Sequence, residues 1–349
     1  MKKKKSIVFT GGGTGGHVTP NIAIMEHFLS DYDVHYIGSN GIEKSLIKNL
    51  KQVTFHEIEC VKLIRSFNFK NFSIPFKLFS SIKQAKAILD EIQPALVFSK
   101  GGYVGLPVAL ACKTLPLFIH ESDSTLGLSN KIALRYADAL FTSFDTIRHK
   151  KALYTGSPIR KSIYQGDIER AKKIYACDNL KPYLLVLGGS SGAKALNDFV
   201  FENLTELLSR YNVLHVKGKN EKRTARRKGY FSMAYCDKIE DLYALSSIVL
   251  SRGGANSLCE IIALKKPCVC VPLKKGSRGD QQVNAKYFED KGAILSVDED
   301  EMSLTKILGC FDSLLKNRSQ FIQNMSKQKI DGTTKIVSKI KTKLQNERT

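Results

Sequence analysis

The sequence predicts an α/β protein built from two doubly wound parallel sheets. Three observations lead there. Short apolar runs alternate with longer helical patterns along the whole chain, as in repeated strand–helix–strand units. Glycine-dense turns close strands in both halves, at 11–16, 101–102, 188–192 and 253–254. The 349 residues, 43% of them hydrophobic, suffice for two cores of ordinary domain size.

In the first half, strands are expected at 6–10, 34–38, 53–59, 95–99, 115–120 and 139–143. In the second they are expected at 183–188, 212–217, 248–252, 267–272 and 294–297. The join falls near Tyr154-Thr155-Gly156-Ser157-Pro158-Ile159-Arg160, where Gly and Pro interrupt the pattern. The Lys-rich stretch 326–343 reads as a terminal helix. The expected division is 1–157, 158–328 and a closing segment, 329–349, for which one available place is against the first domain. Open α/β sheets bind ligands at the carboxyl ends of their strands. The turns therefore predict a cleft between domains with a glycine loop on each wall.

The richest turn is Thr10-Gly11-Gly12-Gly13-Thr14-Gly15-Gly16-His17, directly after the apolar run Ser6–Phe9. Such a turn brings backbone close to a ligand and aims N–H groups at oxyanions. His17 adds a titratable imidazole at its mouth. Gly11, Gly13 and Gly16 also fit G-x-G-x-x-G, but a dinucleotide site wants an acid at the end of the second strand. Here that strand runs into Gly38-Ser39-Asn40, which disfavours a nicotinamide dehydrogenase.

Later turns carry their own chemistry. Gly188-Gly189-Ser190-Ser191-Gly192 reads either as a diphosphate cradle or as a tight turn with serine as N-cap. In Ser251-Arg252-Gly253-Gly254-Ala255-Asn256-Ser257-Leu258-Cys259-Glu260, the glutamate could hold vicinal sugar hydroxyls or simply complement the helix dipole. Asp280-Gln281-Gln282 suits a hydroxyl-rich ligand. His120-Glu121-Ser122-Asp123 and Ser99-Lys100-Gly101-Gly102 end two further strands.

Charge narrows the partners. Lys and Arg number 54 against 33 Asp and Glu, a net +21 that favours polyanionic partners. The run 217–228 is basic but carries no nucleic-acid-binding motif, so a solvated loop is expected and nucleic acid is not. No apolar run approaches the ~18 residues of a membrane span. Only Ser6–Phe9 follows the Lys2–Lys5 run, too short for a signal peptide, so a cytoplasmic protein is expected. The eight cysteines form no C-x-x-C pair and read as buried, reduced thiols. No His or Cys cluster suggests a metal site.

Taken in order, GGGTGGHVTP (11–20), SKGGYVGLP (99–107), HESD (120–123), GSPIR (156–160), GGSSGA (188–193), SRGGANSLCE (251–260) and SRGDQQVNA (277–285) span nearly the whole chain. Each fragment is weak alone, but their order and spacing are specific. The chain resembles the MurG family, the family 28 glycosyltransferases of peptidoglycan synthesis with a GT-B fold. The resemblance implies inverting transfer of N-acetylglucosamine from UDP to the 4-hydroxyl of the N-acetylmuramyl residue of lipid I, undecaprenyl-pyrophosphoryl-MurNAc-pentapeptide, giving lipid II. It implies His17 as general base or acceptor-site residue, with Thr14, Gly15 and Gly16 beside it. Gly189 and Ser190 correspond to the donor diphosphate loop, and Ala255, Asn256 and Ser257 to the helix N-terminus facing the phosphates. Glu260 corresponds to the ribose carboxylate, Gln281 to the reader of the GlcNAc hydroxyls, Arg160 to the arginine of the linker motif and Cys236 to the position whose backbone reads uracil. Many members end the third of these motifs in an amide; here Asp123 stands in that place and is a second candidate base and acceptor contact. No required cofactor is implied, with Mg²⁺ at most stimulatory, because leaving-group charge falls on amides and helix N-termini.

A membrane-borne acceptor needs a docking surface. Phe67, Phe69, Phe72, Phe76 and Phe79 interleave with cations that include Lys70 and Lys77. This suits an anionic bilayer surface at the cytoplasmic face, or else an ordinary helix with its phenylalanines in the core. Three other readings stay open. A UDP-GlcNAc epimerase would turn over donor without acceptor, a nucleotide-sugar sensor would bind without turnover, and a glycolipid synthase of the same fold would prefer another acceptor.

Overall fold

The structure is a computed structural model; it describes residues 4–60, 74–175, 180–189, 192–274 and 279–346. The chain divides into two compact units, Met1–Arg160 together with Asp331–Thr349, and Lys161–Ile330.

The first unit opens β1 (Ser6–Thr10), α1 (Gly15–Met25), β2 (Asp33–Gly38), α2 (Ile42–Lys48), β3 (Val53–Glu57) and α3 (Ile74–Ile92). It continues with β4 (Leu96–Ser99), α4 (Gly102–Ala111), β5 (Leu117–Glu121), α5 (Leu128–Ala133), β6 (Ala139–Thr142) and β7 (Ala152–Tyr154). The second unit runs α6 (Ile168–Tyr175), β8 (Tyr183–Leu187), α7 (Lys194–Glu202), α8 (Leu204–Arg210), β9 (Asn212–Val216), β10 (Tyr230–Met233) and α9 (Ile239–Leu245). Then come β11 (Ile248–Ser251), α10 (Ala255–Ala263), β12 (Cys268–Cys270), α11 (Asp280–Glu289), β13 (Leu295–Ser296), α12 (Leu304–Lys316) and α13 (Arg318–Ser326). A last helix, α14 (Thr333–Asn346), belongs to the first unit.

Every strand pairing is parallel, in the orders β3-β2-β1-β4-β5-β6-β7 and β10-β9-β8-β11-β12-β13. Both orders reverse direction once, between β1 and β4 and between β8 and β11. These are topological switch points, where crossovers leave to opposite faces and open a crevice at the carboxyl ends.

The strands are apolar on both faces because helices cover both. Ile7 and Phe9 join Val18 and Ile24 of α1 and Ile336, Ile340 and Leu344 of α14 in one core. Val8 lies on the other face with Ala85 and Leu89 of α3 and Val108 of α4. In the second unit Leu184, Val186 and Leu250 pack under α7, α8 and α12.

The sequence expectation for the tail is corrected. The Lys-rich stretch is not one helix from 326: α13 ends there, and α14 begins at Thr333 after a turn through Gly332. A Cβ on Gly332 would lie 2.6 Å from Gly156 O, so the return of the chain needs a residue without a side chain. Two strands that the apolar runs do not announce, β7 and β10, both lie at a sheet edge.

Candidate active site

In the first unit the switch point is flanked by the turns Gly11–Gly16 and Lys100–Gly102. Gly13 takes φ +85°, and a Cβ there would sit 2.3 Å from Tyr103 Cε1. Only glycine fits this turn. Tyr36 Oη donates to Gly11 O at 2.5 Å, and Asn21 Nδ2 to Thr10 O at 3.0 Å. Burial raises the Tyr36 pKa, so this donor keeps its proton. The fully buried Glu43 carboxylate accepts from Gly13 N at 3.2 Å, from Ser39 N at 3.0 Å and from the Ser39 hydroxyl.

Glu43 therefore occupies one amide of the turn. The first turn of α1 begins at Gly15, and His17 N within it donates to Thr14 O at 3.1 Å. The N-cap, Thr14, makes no side-chain cap bond; its hydroxyl meets His17 Nδ1 at 2.9 Å. His17 Nε2 looks across to the second turn, 3.5 Å from where a Cβ on Gly102 would be. Gly15, Gly16 and His17 are half-buried and Thr14 is exposed, as groups that meet a ligand from solvent should be.

Beyond β5 the chain is fixed by Glu121, whose carboxylate accepts from Asp123 N at 3.1 Å, Gly127 N at 2.9 Å and Asn130 Nδ2 at 3.0 Å. Asp123 is half-buried and lies, like the two glycine turns, past the carboxyl end of its strand. His120 is fully buried and its pKa is held well below the ordinary histidine value, first by burial and then by the Lys100 ammonium. It stays a neutral acceptor, not a base. Arg160, half-buried, closes the N-terminal stretch of this unit.

In the second unit the switch-point turns are Gly188–Ala193 and Arg252–Gly254. Gly188, Gly189, Gly192 and Ala193 of the first and Arg252 and Gly254 of the second line one cavity of about 420 Å³ with Ser257, Gln281 and Glu299. Gly189 takes φ +78° with open space where a Cβ would stand, whereas a Cβ on Gly192 would lie 2.3 Å from Lys217 O. Gly253 is similarly pressed, its would-be Cβ 2.5 Å from Gln281 O, which brings the start of α11 against the turn. Gln281 Oε1 accepts from Leu273 N at 3.0 Å, so the amide NH₂ is the end that could turn to a ligand. Arg252, 8% exposed, donates through Nη1 to Val271 O at 3.1 Å and pairs with Glu299.

Of the residues named from sequence, the cavity collects Gly189, Ser257 and Gln281. Ala255 is buried, and Asn256 and Glu260 are half-buried, on the helix α10 that opens at the cavity. Its N-cap is Gly254, which has no side chain to cap the first turn. Cys236 is not among the lining residues; it follows β10, with its thiol pKa raised by burial. Ser190 lies outside the described residues. Glu299 and Glu43 escape a motif reading, while Lys100 and Arg252 stand inside the Ser-Lys-Gly-Gly and Ser-Arg-Gly-Gly stretches but are assigned no role from sequence.

On α3, Phe76 and Phe79 are 79% and 70% exposed and Lys77 is exposed, so these phenylalanines are not core. Phe67, Phe69, Phe72 and Lys70 lie outside the described residues. No described helix is long and apolar enough to cross a membrane. Among the described residues no three His, Cys, Asp or Glu side chains are grouped to hold a metal ion. Of the described cysteines, Cys112, Cys259, Cys268 and Cys270 are buried, while Cys60, Cys236 and Cys310 are only half-buried, against the expectation of uniform burial.

Two Rossmann-order sheets, each with glycine turns at its switch point, and a final helix returned to the first unit make up the GT-B fold, the fold of a large class of glycosyltransferases. Comparison with known proteins agrees. Residues 7–142 match the glycosyltransferase family 28 N-terminal domain, and residues 183–341 match the family's C-terminal domain. A UDP-N-acetylglucosamine--N-acetylmuramyl-(pentapeptide) pyrophosphoryl-undecaprenol N-acetylglucosamine transferase from Clostridium tetani is 42% identical over 97% of this chain and 99% of its own. The protein of that name from Lachnospira eligens is 43% identical, again over 97% and 99%. Among solved structures, MurG of Acinetobacter baumannii aligns with a TM-score of 0.72 at 22% identity, covering 97% of this chain and 99% of that one. A UDP-GlcNAc 2-epimerase from Neisseria meningitidis shares the fold at a TM-score of 0.63 and 13% identity, covering 96% and 98%. The chain belongs to glycosyltransferase family 28.

Proposed function

We propose that this protein transfers N-acetylglucosamine from UDP-GlcNAc to the muramyl 4-hydroxyl of lipid I, forming lipid II for peptidoglycan. The observation that carries the reading is the close relationship, over almost the full chain, to transferases of that name. The second unit takes the donor. The diphosphate sits on the amides of Gly188–Ala193 and the start of α10, with Ser190 in the loop. Ala255, Asn256 and Ser257 face it, Glu260 holds the ribose hydroxyls, Gln281 reads the sugar, and backbone at Cys236 meets the uracil. The first unit takes the acceptor. Its pyrophosphate suits Thr14, Gly15 and Gly16, and Arg160 adds positive charge.

Transfer inverts the anomeric centre. The acceptor oxygen attacks C1 of GlcNAc as the bond to UDP breaks, and a base takes the hydroxyl proton. His17, through Nε2, or Asp123 is that base, a contribution of about 10²–10⁴-fold. Charge growing on UDP falls on backbone N–H groups and on Arg252. The enzyme then works peripherally at the cytoplasmic face of the membrane, with Phe76, Phe79 and Lys77 among the groups that touch an anionic bilayer.

The test is transfer of radiolabelled GlcNAc from UDP-GlcNAc to a short-chain lipid I analogue, with divalent metal chelated. Labelled disaccharide lipid is expected. Consumption of UDP-GlcNAc without acceptor would instead identify an epimerase, and binding without turnover a sensor. Turnover of a diacylglycerol acceptor in preference to lipid I would identify a glycolipid synthase.

A further inference from the structure

Among the described residues, the cavity at the second switch point is lined by four charged side chains, Lys194, Asp198, Arg252 and Glu299. Their charges sum to zero, in a chain that carries a net +21. Lys194 pairs with Asp198 and is 87% exposed, so water screens that pair. The other pair is set deeper. Arg252 is buried, and its contacts with Val271 O and with the Glu299 carboxylate both run through Nη1.

Glu299 comes from a short acidic turn. After β13 the chain reads Val297-Asp298-Glu299-Asp300-Glu301, with a 3-10 turn over Glu299–Glu301. Asp298, Asp300 and Glu301 are exposed, and the last two pair with Lys274 and Lys306. Glu299 alone of the four is half-buried and lines the cavity. Its Oε2 is buried beside the guanidinium, yet accepts no aligned hydrogen bond. What this side chain brings to the cavity is therefore charge more than a bond. A glutamine has the same shape without the charge.

We propose that Glu299 is a specificity-determining residue that separates spent nucleotide from donor by charge. This rests on the proposed function, with the diphosphate in this cavity. In UDP-GlcNAc the β-phosphate is esterified and carries one negative charge. When its bond to C1 breaks, the electron pair stays on the phosphate oxygen. UDP then holds a further ionisable site, whose proton is lost near pH ~6 as in phosphate monoesters. A cavity of about 420 Å³ is comparable in width with the ~10 Å over which 0.1 M salt screens charge. The Glu299 carboxylate thus opposes both nucleotides, and UDP more strongly. It also offsets part of the field of Arg252, which would otherwise clamp the product.

Calorimetric titration of UDP and of UDP-GlcNAc into the full chain, as wild type, Glu299→Gln and Glu299→Ala, tests this at low salt. Glu299→Gln is expected to tighten UDP about tenfold and UDP-GlcNAc only about threefold, so the ratio of the two dissociation constants moves toward product. Inhibition of transfer by added UDP deepens in step. Glu299→Ala moves the ratio in the same direction, because both variants remove the charge. Unchanged or weaker UDP binding in Glu299→Gln overturns the inference and marks Glu299 as a mere support for Arg252. So does equal tightening of the two nucleotides, which leaves no discrimination. A wild-type chain that binds neither nucleotide overturns the proposed function, and this inference with it.

Discussion

At the scale of single residues, the second unit holds a histidine whose protonation state is set by its surroundings. His215 is fully buried on β9, its Nδ1 2.9 Å from Tyr230 Oη and its Nε2 2.9 Å from Asn197 Oδ1. Burial, reinforced by Lys217, pushes its pKa down to about 3. The unfolded chain takes up that proton near pH 6.5, and the folded unit refuses it. Stability from neutral His215 is therefore complete above about pH 6.5 and is lost as pH falls from there toward about 3. The slope approaches about 1.4 kcal/mol per pH unit for one such proton. Urea unfolding of the second unit between pH 7 and 4 measures it, and His215→Gln should flatten the profile. His120 adds the same sign in the first unit.

At the scale of elements, α3 separates two demands on one helix. Its inner face seals a core through Ala85 and Leu89, while Phe76 and Phe79 near its start stand in solvent. Replacing Phe76 and Phe79 with serine should remove most binding to vesicles rich in anionic lipid and leave the melting temperature within about one degree, since exposed sites contribute within ~0.5 kcal/mol. Co-sedimentation checks this, and undiminished binding would assign membrane contact elsewhere. The elements also mark what was legible in the sequence. Central strands such as β1, β4 and β8 are apolar on both faces and announce themselves. The edge strands β7 and β10 do not. β7 is a three-residue strand that follows Lys150 and Lys151, and β10 follows the basic run 217–228. An edge position needs fewer apolar side chains, so the period is short or absent. Gly189, Ser257 and Gln281 line one cavity, and the glycine turns beside them stand out in the sequence. Glu43 does not, because an acid in the first turn of a helix is expected for the helix dipole alone. Only the fold brings it to Gly13.

At the scale of the molecule, one sheet order is used twice, and each use places glycine turns and a buried cation at its switch point. The first unit, unlike the second, is discontinuous. Ile336, Ile340 and Leu344 of α14 are fully buried in the core formed around β1. Ile340→Ala should cost the first unit about 2–5 kcal/mol. Calorimetry is expected to show one transition moved down and the transition of the second unit in place. A uniform shift of all unfolding would mean that the two units melt as one.

That discontinuity has a consequence during synthesis. The Thr333 side chain closes on the backbone of Ile159, 174 residues earlier. While the polypeptide emerges from the ribosome, the half that appears first must wait with an uncovered strip along its sheet. The half translated second is contiguous and can complete itself meanwhile. The oldest part of the nascent protein is thus the last to be finished, and its open strip is the surface most in need of a chaperone until the final helix arrives.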